Sequence, residues 1–268
     1  MSVRPKKGLG QHFLVDAAAI ATIVGAVDAP EGSRVVEIGP GAGALTGPLL
    51  ARYPGLVALE VDAEAIAHLR ARYPALDVRQ GDVLEADWGA IRREGGPSAP
   101  PLTVVGNLPY YISSPILFAL LGARADVGRA VVMLQKEVAD RLVAPPGGKT
   151  YGTLSVYFAL WARAAPVLDV PAAAFRPPPK VESAVVALDF RGADGPDVDS
   201  AALRRVVRAA FGQRRKMLRN SLRPLFAAAG LDVPGWAATR RPEAVSPGDF
   251  VRLAAALGAP APDAPRPT

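Results

Sequence analysis

The strongest candidate for chemistry is the stretch Asn107, Leu108, Pro109 and Tyr110, which follows a short apolar run. An exocyclic amine on a purine is a poor nucleophile because its lone pair is delocalised into the ring. Two acceptors, the Asn107 side-chain oxygen and the Leu108 carbonyl oxygen, would favour the pyramidal, reactive form of that amine. Pro109 would fix the loop because proline holds φ at about −65°, and Tyr110 would stack on the ring. These four residues, the amine clamp, predict a site for a flat ring that carries an amino group.

A glycine-rich turn follows an earlier apolar run and predicts close approach of the backbone to a ligand. The pattern of Gly39, Gly41 and Ala44, with Glu60 about twenty residues later, also fits a dinucleotide fingerprint. Spacing alone therefore does not separate NAD from S-adenosylmethionine. Glu37 lies two residues before the first glycine and would repel the pyrophosphate of NAD, whereas S-adenosylmethionine brings a sulfonium and an ammonium. The charge favours S-adenosylmethionine.

Glu37, Glu60 and Asp82 each lie at or just beyond the end of an expected strand. Because the carboxyl ends of parallel strands meet at one edge of a sheet, we expect these three acids to line one crevice. Glu60 would accept hydrogen bonds from both ribose hydroxyls, and Asp82 would accept one from the adenine amine. Gly39 and Gly41 would let the methionine portion lie against the backbone.

The composition limits the class of protein. The chain has 268 residues, 50% of them hydrophobic, and a formal net charge of +6, which allows a large core and favours a polyanionic partner. There is no cysteine and there are two histidines, so neither thiolate chemistry nor a histidine-based metal site is expected. Prolines interrupt the uncharged run from Gly95 to Ala123, and no signal-type apolar core follows the basic N-terminus. We expect a cytoplasmic protein without membrane spans.

Short apolar runs alternate with segments of helical spacing through the first 190 residues. This alternation predicts a parallel sheet with helices on both faces. Asp16 and Asp62 precede two helical segments and are suitable N-caps. The expected strands span residues 34–38, 56–60, 76–80, 102–106, 129–135, 166–170 and 183–190.

We expect four regions along the chain. Residues 1–190 would form the sheet domain, and residues 191–200 hold glycine, proline and three aspartates, a composition typical of linkers. Residues 201–257 have a purely helical pattern and are expected to bind RNA, and the Pro/Ala-rich tail at 258–268 is expected to be disordered.

Residues 204–223 contain eight basic residues and no acidic one. Val207, Phe211, Leu218 and Leu222 keep an apolar stripe at spacings of four and seven, which predicts one helix with a packed face and a positive face. Such a face would position RNA through its phosphates rather than read its sequence. The expected phosphate contacts here and elsewhere are Arg4, Lys6, Lys7, Arg176, Lys180, Arg208, Arg214, Arg215, Lys216 and Arg219.

Several blocks together resemble the ribosomal RNA adenine N6,N6-dimethyltransferases of the KsgA type. The blocks are 10–14, 37–41, 107–110, 135–142, 149–152 and 175–184, and the match covers nearly the whole chain. The resemblance implies a class I methyltransferase, with a Rossmann-like, seven-stranded, mostly parallel α/β sheet and a small helical C-terminal domain. It implies a monomer that uses S-adenosylmethionine and acts on two adjacent adenines near the 3′ end of 16S rRNA in the small ribosomal subunit. The cofactor contacts that it implies are His12, Leu14, Gly39, Glu60, Asp82 and Asn107. We also expect Gln11, Glu37 and Gly41 to contact the cofactor.

The mechanism expected from these residues is an in-line displacement without a covalent intermediate. The target base must be extruded to reach the clamp, where Tyr110 would hold one face. Phe175 would either hold the other face or be a loop residue anchored in the core. Many relatives have asparagine where His12 stands, so the geometry of its cofactor contact is open. Three alternatives remain: the same chemistry on large-subunit rRNA, an RNA-binding assembly factor with secondary catalysis, and an NAD-dependent dehydrogenase.

Overall fold

A computed structural model of the chain describes residues 5–6, 11–190 and 195–258. The predicted RNA contacts Arg4 and Lys7, most of the expected tail and part of the expected linker lie outside these residues. The chain divides into two compact units, residues 1–139 with 162–193 and residues 140–161 with 194–268. Residues 140–161 thus group with the C-terminal helices, although their sequence pattern predicts that they belong to the sheet domain. No helix in the described part of the chain has the length and apolarity that a membrane crossing requires.

The first unit alternates strands and helices along the chain, as predicted. Its elements up to residue 135 are β1 (Phe13–Leu14), α1 (Ala17–Ala26), β2 (Val35–Ile38), α2 (Thr46–Arg52), β3 (Val57–Glu60), α3 (Ala63–Arg72), β4 (Asp77–Gln80), α4 (Trp88–Arg93), β5 (Leu102–Asn107), α5 (Ser113–Gly122) and β6 (Val127–Gln135). Helix α6 (Lys136–Val143) begins in this unit and ends in the second, and α7 (Thr153–Trp161) belongs to the second. The first unit is completed by β7 (Arg163–Val170), β8 (Phe175–Arg176) and β9 (Ser183–Asp189).

Seven strands form one sheet in the order β4-β3-β2-β5-β6-β9-β7. The neighbours from β4 to β6 pair in parallel, and β9 runs antiparallel to both β6 and β7. The expected mostly parallel, seven-stranded sheet is confirmed. Strands β2 and β3 are buried along their whole length, as is typical of parallel strands with helices on both faces.

The strand order brings the chemistry-bearing residues to one edge of the sheet. Glu37 and Glu60 lie near the ends of β2 and β3, and Asn107 ends β5. Because β2 lies between β3 and β5, the acids and the clamp meet at the carboxyl edge. Asp16 and Asp62 cap helices α1 and α3, as predicted. The Asp16 side chain accepts from the Ala19 N–H, and the Asp62 side chain accepts from the Glu64 N–H.

The second unit is helical. Besides α7 it contains α8 (Ser200–Gly212), α9 (Leu218–Ser221), α10 (Arg223–Ala227), α11 (Gly235–Ala238) and α12 (Pro247–Gly258). Tyr151 is completely buried in this unit, and its hydroxyl donates to the Val245 carbonyl at 2.9 Å.

The basic run does not form the single helix that the sequence predicts. Helix α8 ends at Gly212, a turn spans residues 213–217, and α9 begins at Leu218. Glycine is a poor residue for continuing a helix, and the basic turn that follows it is largely exposed. The apolar part of the prediction is confirmed for Val207, Leu218 and Leu222, which are fully buried.

Gly106 in β5 should be indispensable for the packing of the sheet. It pairs with Ile38 of β2, and a Cβ at position 106 would lie 2.6 Å from the Ile38 carbonyl oxygen. Since the obstacle is backbone, Gly106→Ala should push two central strands apart and destabilise the protein by about 2 kcal/mol, which lowers the midpoint of thermal unfolding by roughly 5 °C.

The matched control is Gly25→Ala in α1, where a Cβ would meet nothing within 4 Å. Alanine at this helical position should keep or raise stability, by up to about 1 kcal/mol. Equal unfolding midpoints for Gly106→Ala and the wild type would contradict the close approach of the two strands.

Candidate active site

A cavity of about 270 Å³ opens at the carboxyl edge of the sheet in the first unit. It is lined by the glycine turn after β2, the end of β3, the turn after β4, the end of β5 and the segment that enters β1. The cavity collects all the predicted cofactor contacts and the whole amine clamp: Gln11, His12, Leu14, Glu37, Gly39, Gly41, Glu60, Asp82, Asn107, Leu108, Pro109 and Tyr110.

The glycine turn needs glycine for two separate reasons. Gly39 and Gly41 have φ values of 60° and 54°, which lie in the left-handed region that other residues seldom adopt. In addition, a Cβ on Gly41 would lie 3.0 Å from the Phe13 ring. The turn thus leaves backbone, rather than side chains, facing a ligand.

Glu60 joins this turn to the end of β3. Its carboxylate accepts hydrogen bonds from the backbone N–H groups of Gly41 at 3.0 Å and of Val61 and Asp62 at 2.9 Å each. The side chain is buried, at 5% exposure. A carboxylate has about four lone-pair sites, so Glu60 keeps some capacity to accept from a ligand. The ribose contact stays a prediction.

Glu37 lies deeper in the cavity wall, at 1% exposure. The Thr46 hydroxyl donates to its Oε2 atom at 2.7 Å. Burial raises the pKa of Glu37 to about 8, the nearby charge of Glu60 adds to the rise, and the bond from Thr46 only partly opposes it. A cationic ligand in the cavity would favour the ionised form of this group.

Asp82 differs from the other two acids because it is exposed. Its Oδ1 atom accepts from the Leu84 N–H at 2.9 Å and starts a short 3-10 turn, residues Val83–Glu85. The side chain borders the cavity, and its contact with an adenine amine stays a prediction.

The amide of Asn107 has a fixed orientation. Its Nδ2 atom donates to the His12 backbone carbonyl at 3.0 Å, which leaves Oδ1 as the accepting atom of the amide. The backbone next to it is also fixed, because the Leu108 N–H donates to the Met133 carbonyl at 3.0 Å. Pro109 has φ −62° and starts the turn that contains Tyr110.

Tyr110 is held by contacts that the sequence analysis did not identify. Its hydroxyl lies 2.5 Å from Ser183 Oγ, and burial raises its pKa, although the bond to Ser183 opposes the rise. The His12 ring stacks on Tyr110, with centroids 5.9 Å apart. His12 Nδ1 also lies 2.8 Å from the Pro177 carbonyl, which can only accept, so Nδ1 is the donor and Nε2 is an acceptor in the neutral ring.

Phe175 is the clear correction among the predicted catalytic residues. It pairs with Leu14 in the short β1–β8 ladder and is completely buried in the core with Val170, Ala174 and Val185. It does not line the cavity. In this conformation Phe175 cannot stack on a base, because its ring would first have to leave the core.

The predicted RNA contacts of the first unit fall into two groups. Arg176 and Lys180 are exposed, and the Arg176 guanidinium donates to the carbonyls of Ala173 and Phe175. Lys6 differs from the prediction because its Nζ atom lies 2.6 Å from Asp62 Oδ1 and 3.3 Å from Glu64 Oε2. Its charge is therefore already compensated within the protein.

In the second unit, the predicted contacts lie on α8, on α9 and in the turn between them. Arg208, Arg215, Lys216 and Arg219 are exposed. Arg214 is half-buried and donates to the Gly148 carbonyl at 3.1 Å, which ties the basic turn to the loop after α6. Their contact with RNA stays a prediction.

The sheet order, the glycine turn after β2 and the acid that ends β3 together define a class I, S-adenosylmethionine-dependent methyltransferase. The cavity fits this cofactor because acidic side chains line it together with a glycine turn that is free of side chains at positions 39 and 41. A Cβ at Gly41 would collide with the Phe13 ring, which also lines the cavity. The family model described as ribosomal RNA adenine dimethylase matches residues 3–256, and the chain belongs to this family.

Relatives with nearly full coverage agree with this assignment. The chain is 47% identical to a protein of Salinibacter ruber over 97% of this chain and 88% of that protein. It is 46% identical to a protein of Cupriavidus metallidurans over 97% and 95%. Both relatives are named ribosomal RNA small subunit methyltransferase A.

Two solved structures share the fold. A dimethyladenosine transferase from Plasmodium falciparum aligns with a TM-score of 0.72 and 24% identity, over 90% of this chain and 96% of that one. The 23S rRNA methyltransferase ErmE aligns with a TM-score of 0.61 and 28% identity, over 92% and 100%. The predicted fold class, enzyme class and cofactor are confirmed, and the dehydrogenase alternative is wrong.

Replacement of Glu37 by Gln should stabilise the ligand-free protein more at high pH than at low pH. The pKa of Glu37 is raised to about 8 in the folded protein, whereas its ordinary value is 4.5. Between these limits the folded chain binds more protons than the unfolded chain, so wild-type stability falls as pH rises, by at most roughly 1.4 kcal/mol per pH unit for this group.

Denaturant unfolding of the wild type and Glu37→Gln from about pH 5 to pH 8 measures the difference. The matched control is Glu85→Gln, because Glu85 is an exposed carboxylate in the same unit and should give a nearly pH-independent difference. If the stability difference between Glu37→Gln and the wild type did not change with pH, Glu37 would be ionised throughout this range.

Proposed function

We propose that the protein transfers methyl groups from S-adenosylmethionine to N6 of two adjacent adenines near the 3′ end of small-subunit rRNA. The observation that carries the proposal is the fixed amide of Asn107, which presents an acceptor beside an acid-lined cavity. The names of the relatives at 46–47% identity support the small subunit as the substrate particle. We further propose that the enzyme works as a cytoplasmic monomer.

The residues of the chain have distinct parts in this reaction. When bound, S-adenosylmethionine supplies an electrophilic methyl group. Asn107 Oδ1 and the Leu108 carbonyl would accept hydrogen bonds from the adenine amine and align its lone pair, which is catalysis by orientation. Tyr110 would support one face of the base.

Proton removal needs no dedicated base. The methylated amine is a cation that loses its proton readily to water. Tyr110 is a neutral phenol, since burial raises its pKa, and Glu37 is buried away from solvent. The enzyme therefore contributes position rather than proton transfer.

RNA binding is proposed for the basic part of the second unit. Arg208, the turn at Arg214, Arg215 and Lys216, and Arg219 place several cations on neighbouring elements. Contacts of this kind neutralise phosphates and carry no sequence information. Arg176 and Lys180 remain candidate phosphate contacts in the first unit.

A second candidate substrate is large-subunit rRNA, because ErmE is 28% identical over nearly the whole chain. Labelled methyl transfer to undermethylated small and large subunits separates the two, with the modified nucleoside identified by mass spectrometry. We expect label in N6,N6-dimethyladenosine of the small subunit. Label confined to the large subunit would overturn the proposal.

Asn107→Ala should nearly abolish methyl transfer and leave cofactor binding within a modest factor. The substitution removes an acceptor that acts on the reacting amine, and the loss of one such group commonly costs about 100-fold in kcat. Single-turnover transfer to small subunits measures the rate, and calorimetry measures the affinity for S-adenosylmethionine.

Asn107→Asp tests the orientation of the amide. Aspartate keeps an acceptor but cannot donate to the His12 carbonyl when it is ionised, so we expect a similarly low rate. Full turnover by Asn107→Ala would remove the amine clamp from the mechanism.

Combined replacement of Arg214, Arg215 and Lys216 by Gln should weaken RNA binding and make it less sensitive to salt. Three lost phosphate contacts should reduce the slope of log K against log salt by about two to three. The matched control replaces three exposed arginines of the first unit, Arg52, Arg72 and Arg93, and so removes the same net charge.

Binding of small subunits at several salt concentrations measures both slopes. We expect the control to keep a slope close to that of the wild type. Equal slopes for all three proteins would show that the basic turn only adds solubility.

A further inference from the structure

The ion pair between Lys6 and Asp62 joins two parts of the chain that border the cofactor cavity. The Lys6 Nζ atom lies 2.6 Å from Asp62 Oδ1. The two side chains differ in environment, because that of Lys6 is 43% exposed and that of Asp62 only 3% exposed. The pair therefore brings a solvent-accessible cation to a buried carboxylate.

On the Lys6 side, the pair leads directly to the cavity wall. The Lys6 N–H donates to Gln11 Oε1 at 2.9 Å, and Gln11 and the following His12 line the cavity. The His12 carbonyl in turn accepts from Asn107. Fixing Lys6 thus also fixes the segment that contacts the clamp.

On the Asp62 side, the pair leads to the acid that ends β3. The N–H groups of Val61 and Asp62 both donate to Glu60 Oε1, while Asp62 Oδ1 accepts from the Glu64 N–H and caps α3. One short turn therefore holds Glu60 on the ligand side and Lys6 on the other.

Several hydrogen bonds favour the charged form of the buried Asp62 carboxylate, and the one from Lys6 has the largest effect. Burial alone would raise the pKa of Asp62, yet the hydrogen bonds from Lys6 and from the Glu64 backbone leave this pKa below its ordinary value. Asp62 Oδ2 is buried and has no hydrogen-bond partner among the described residues. Removing the partner of a buried charge is strongly unfavourable, so without Lys6 the turn would have to rearrange.

We propose that Lys6 and Asp62 are positioning residues for cofactor binding. Their ion pair fastens the wall formed by Gln11 and His12 to the turn that holds Glu60, and it sets the affinity for S-adenosylmethionine rather than the rate of methyl transfer. The expected result for the methyl-transfer rate rests on the proposed function. The expected result for cofactor affinity does not, because affinity is measured without RNA.

The test measures S-adenosylmethionine affinity by calorimetry and kcat at saturating cofactor on small subunits. Lys6→Met keeps the length of the side chain and removes its charge, and it should raise Kd and KM for the cofactor by about tenfold with kcat within twofold. Lys6→Arg should restore the wild-type affinity. Asp62→Asn removes the charge but keeps the helix cap, because asparagine caps helices as well as aspartate does. It should therefore weaken cofactor binding as Lys6→Met does, through loss of the ion pair alone.

Two further variants make the test specific. The double variant Lys6→Met/Asp62→Asn should be no worse than either single one, since both remove the same pair. Glu64→Gln is the matched control, because Glu64 is the more distant, half-exposed partner of Lys6, and it should change Kd by less than twofold.

Three outcomes would overturn the inference: wild-type cofactor affinity in Lys6→Met and Asp62→Asn, a fall in kcat with unchanged Kd, or additive losses in the double variant. Weaker RNA binding with a reduced salt slope at unchanged cofactor affinity would instead assign Lys6 to RNA, as the sequence alone predicted. If the wild type did not methylate small subunits, the proposed function would be overturned, whereas the comparison of cofactor affinities would still decide the role of Lys6 and Asp62.

Discussion

The site depends on one carboxylate that is shared between two turns. Glu60 accepts from the backbone of Gly41, in the turn after β2, and from Val61 and Asp62, in the turn after β3. Each turn is irregular backbone with N–H groups that a sheet cannot satisfy, and a buried carboxylate without donors would itself be costly. The three bonds satisfy these backbone N–H groups and also supply donors to the buried carboxylate. They also hold the two loops at the separation that the cavity needs.

This arrangement makes the ligand-free site electrostatically demanding. Glu37 and Glu60 are both buried at the same edge of the sheet, and the pKa of Glu37 is raised to about 8 by burial and by the charge of Glu60. A sulfonium and an ammonium in the cavity would favour the ionised form of Glu37. The acidic pair therefore selects a cationic cofactor and disfavours the pyrophosphate of a dinucleotide, although the glycine pattern would fit either.

The sequence predicts the sheet well because its signal is local. Buried parallel strands are short apolar runs, and the run at 34–38 corresponds to β2 at Val35–Ile38. Contacts between distant residues carry no such signal: Tyr110 meets Ser183, and Lys6 meets Asp62. Phe175 was misplaced because its strand β8 has only two residues, too few for a periodic pattern. The basic helix was predicted too long because its apolar spacing continues through a turn.

The bond that orients Asn107 ends on the main chain of His12 and not on its side chain. Every amino acid at position 12 offers the same carbonyl oxygen, so the side chain there can change without turning the amide of the clamp. Substitution at position 12 would act on what the ring touches, namely Tyr110 and the Pro177 carbonyl. The fold thereby separates the fixed orientation of the Asn107 amide from a neighbouring side chain that can be exchanged.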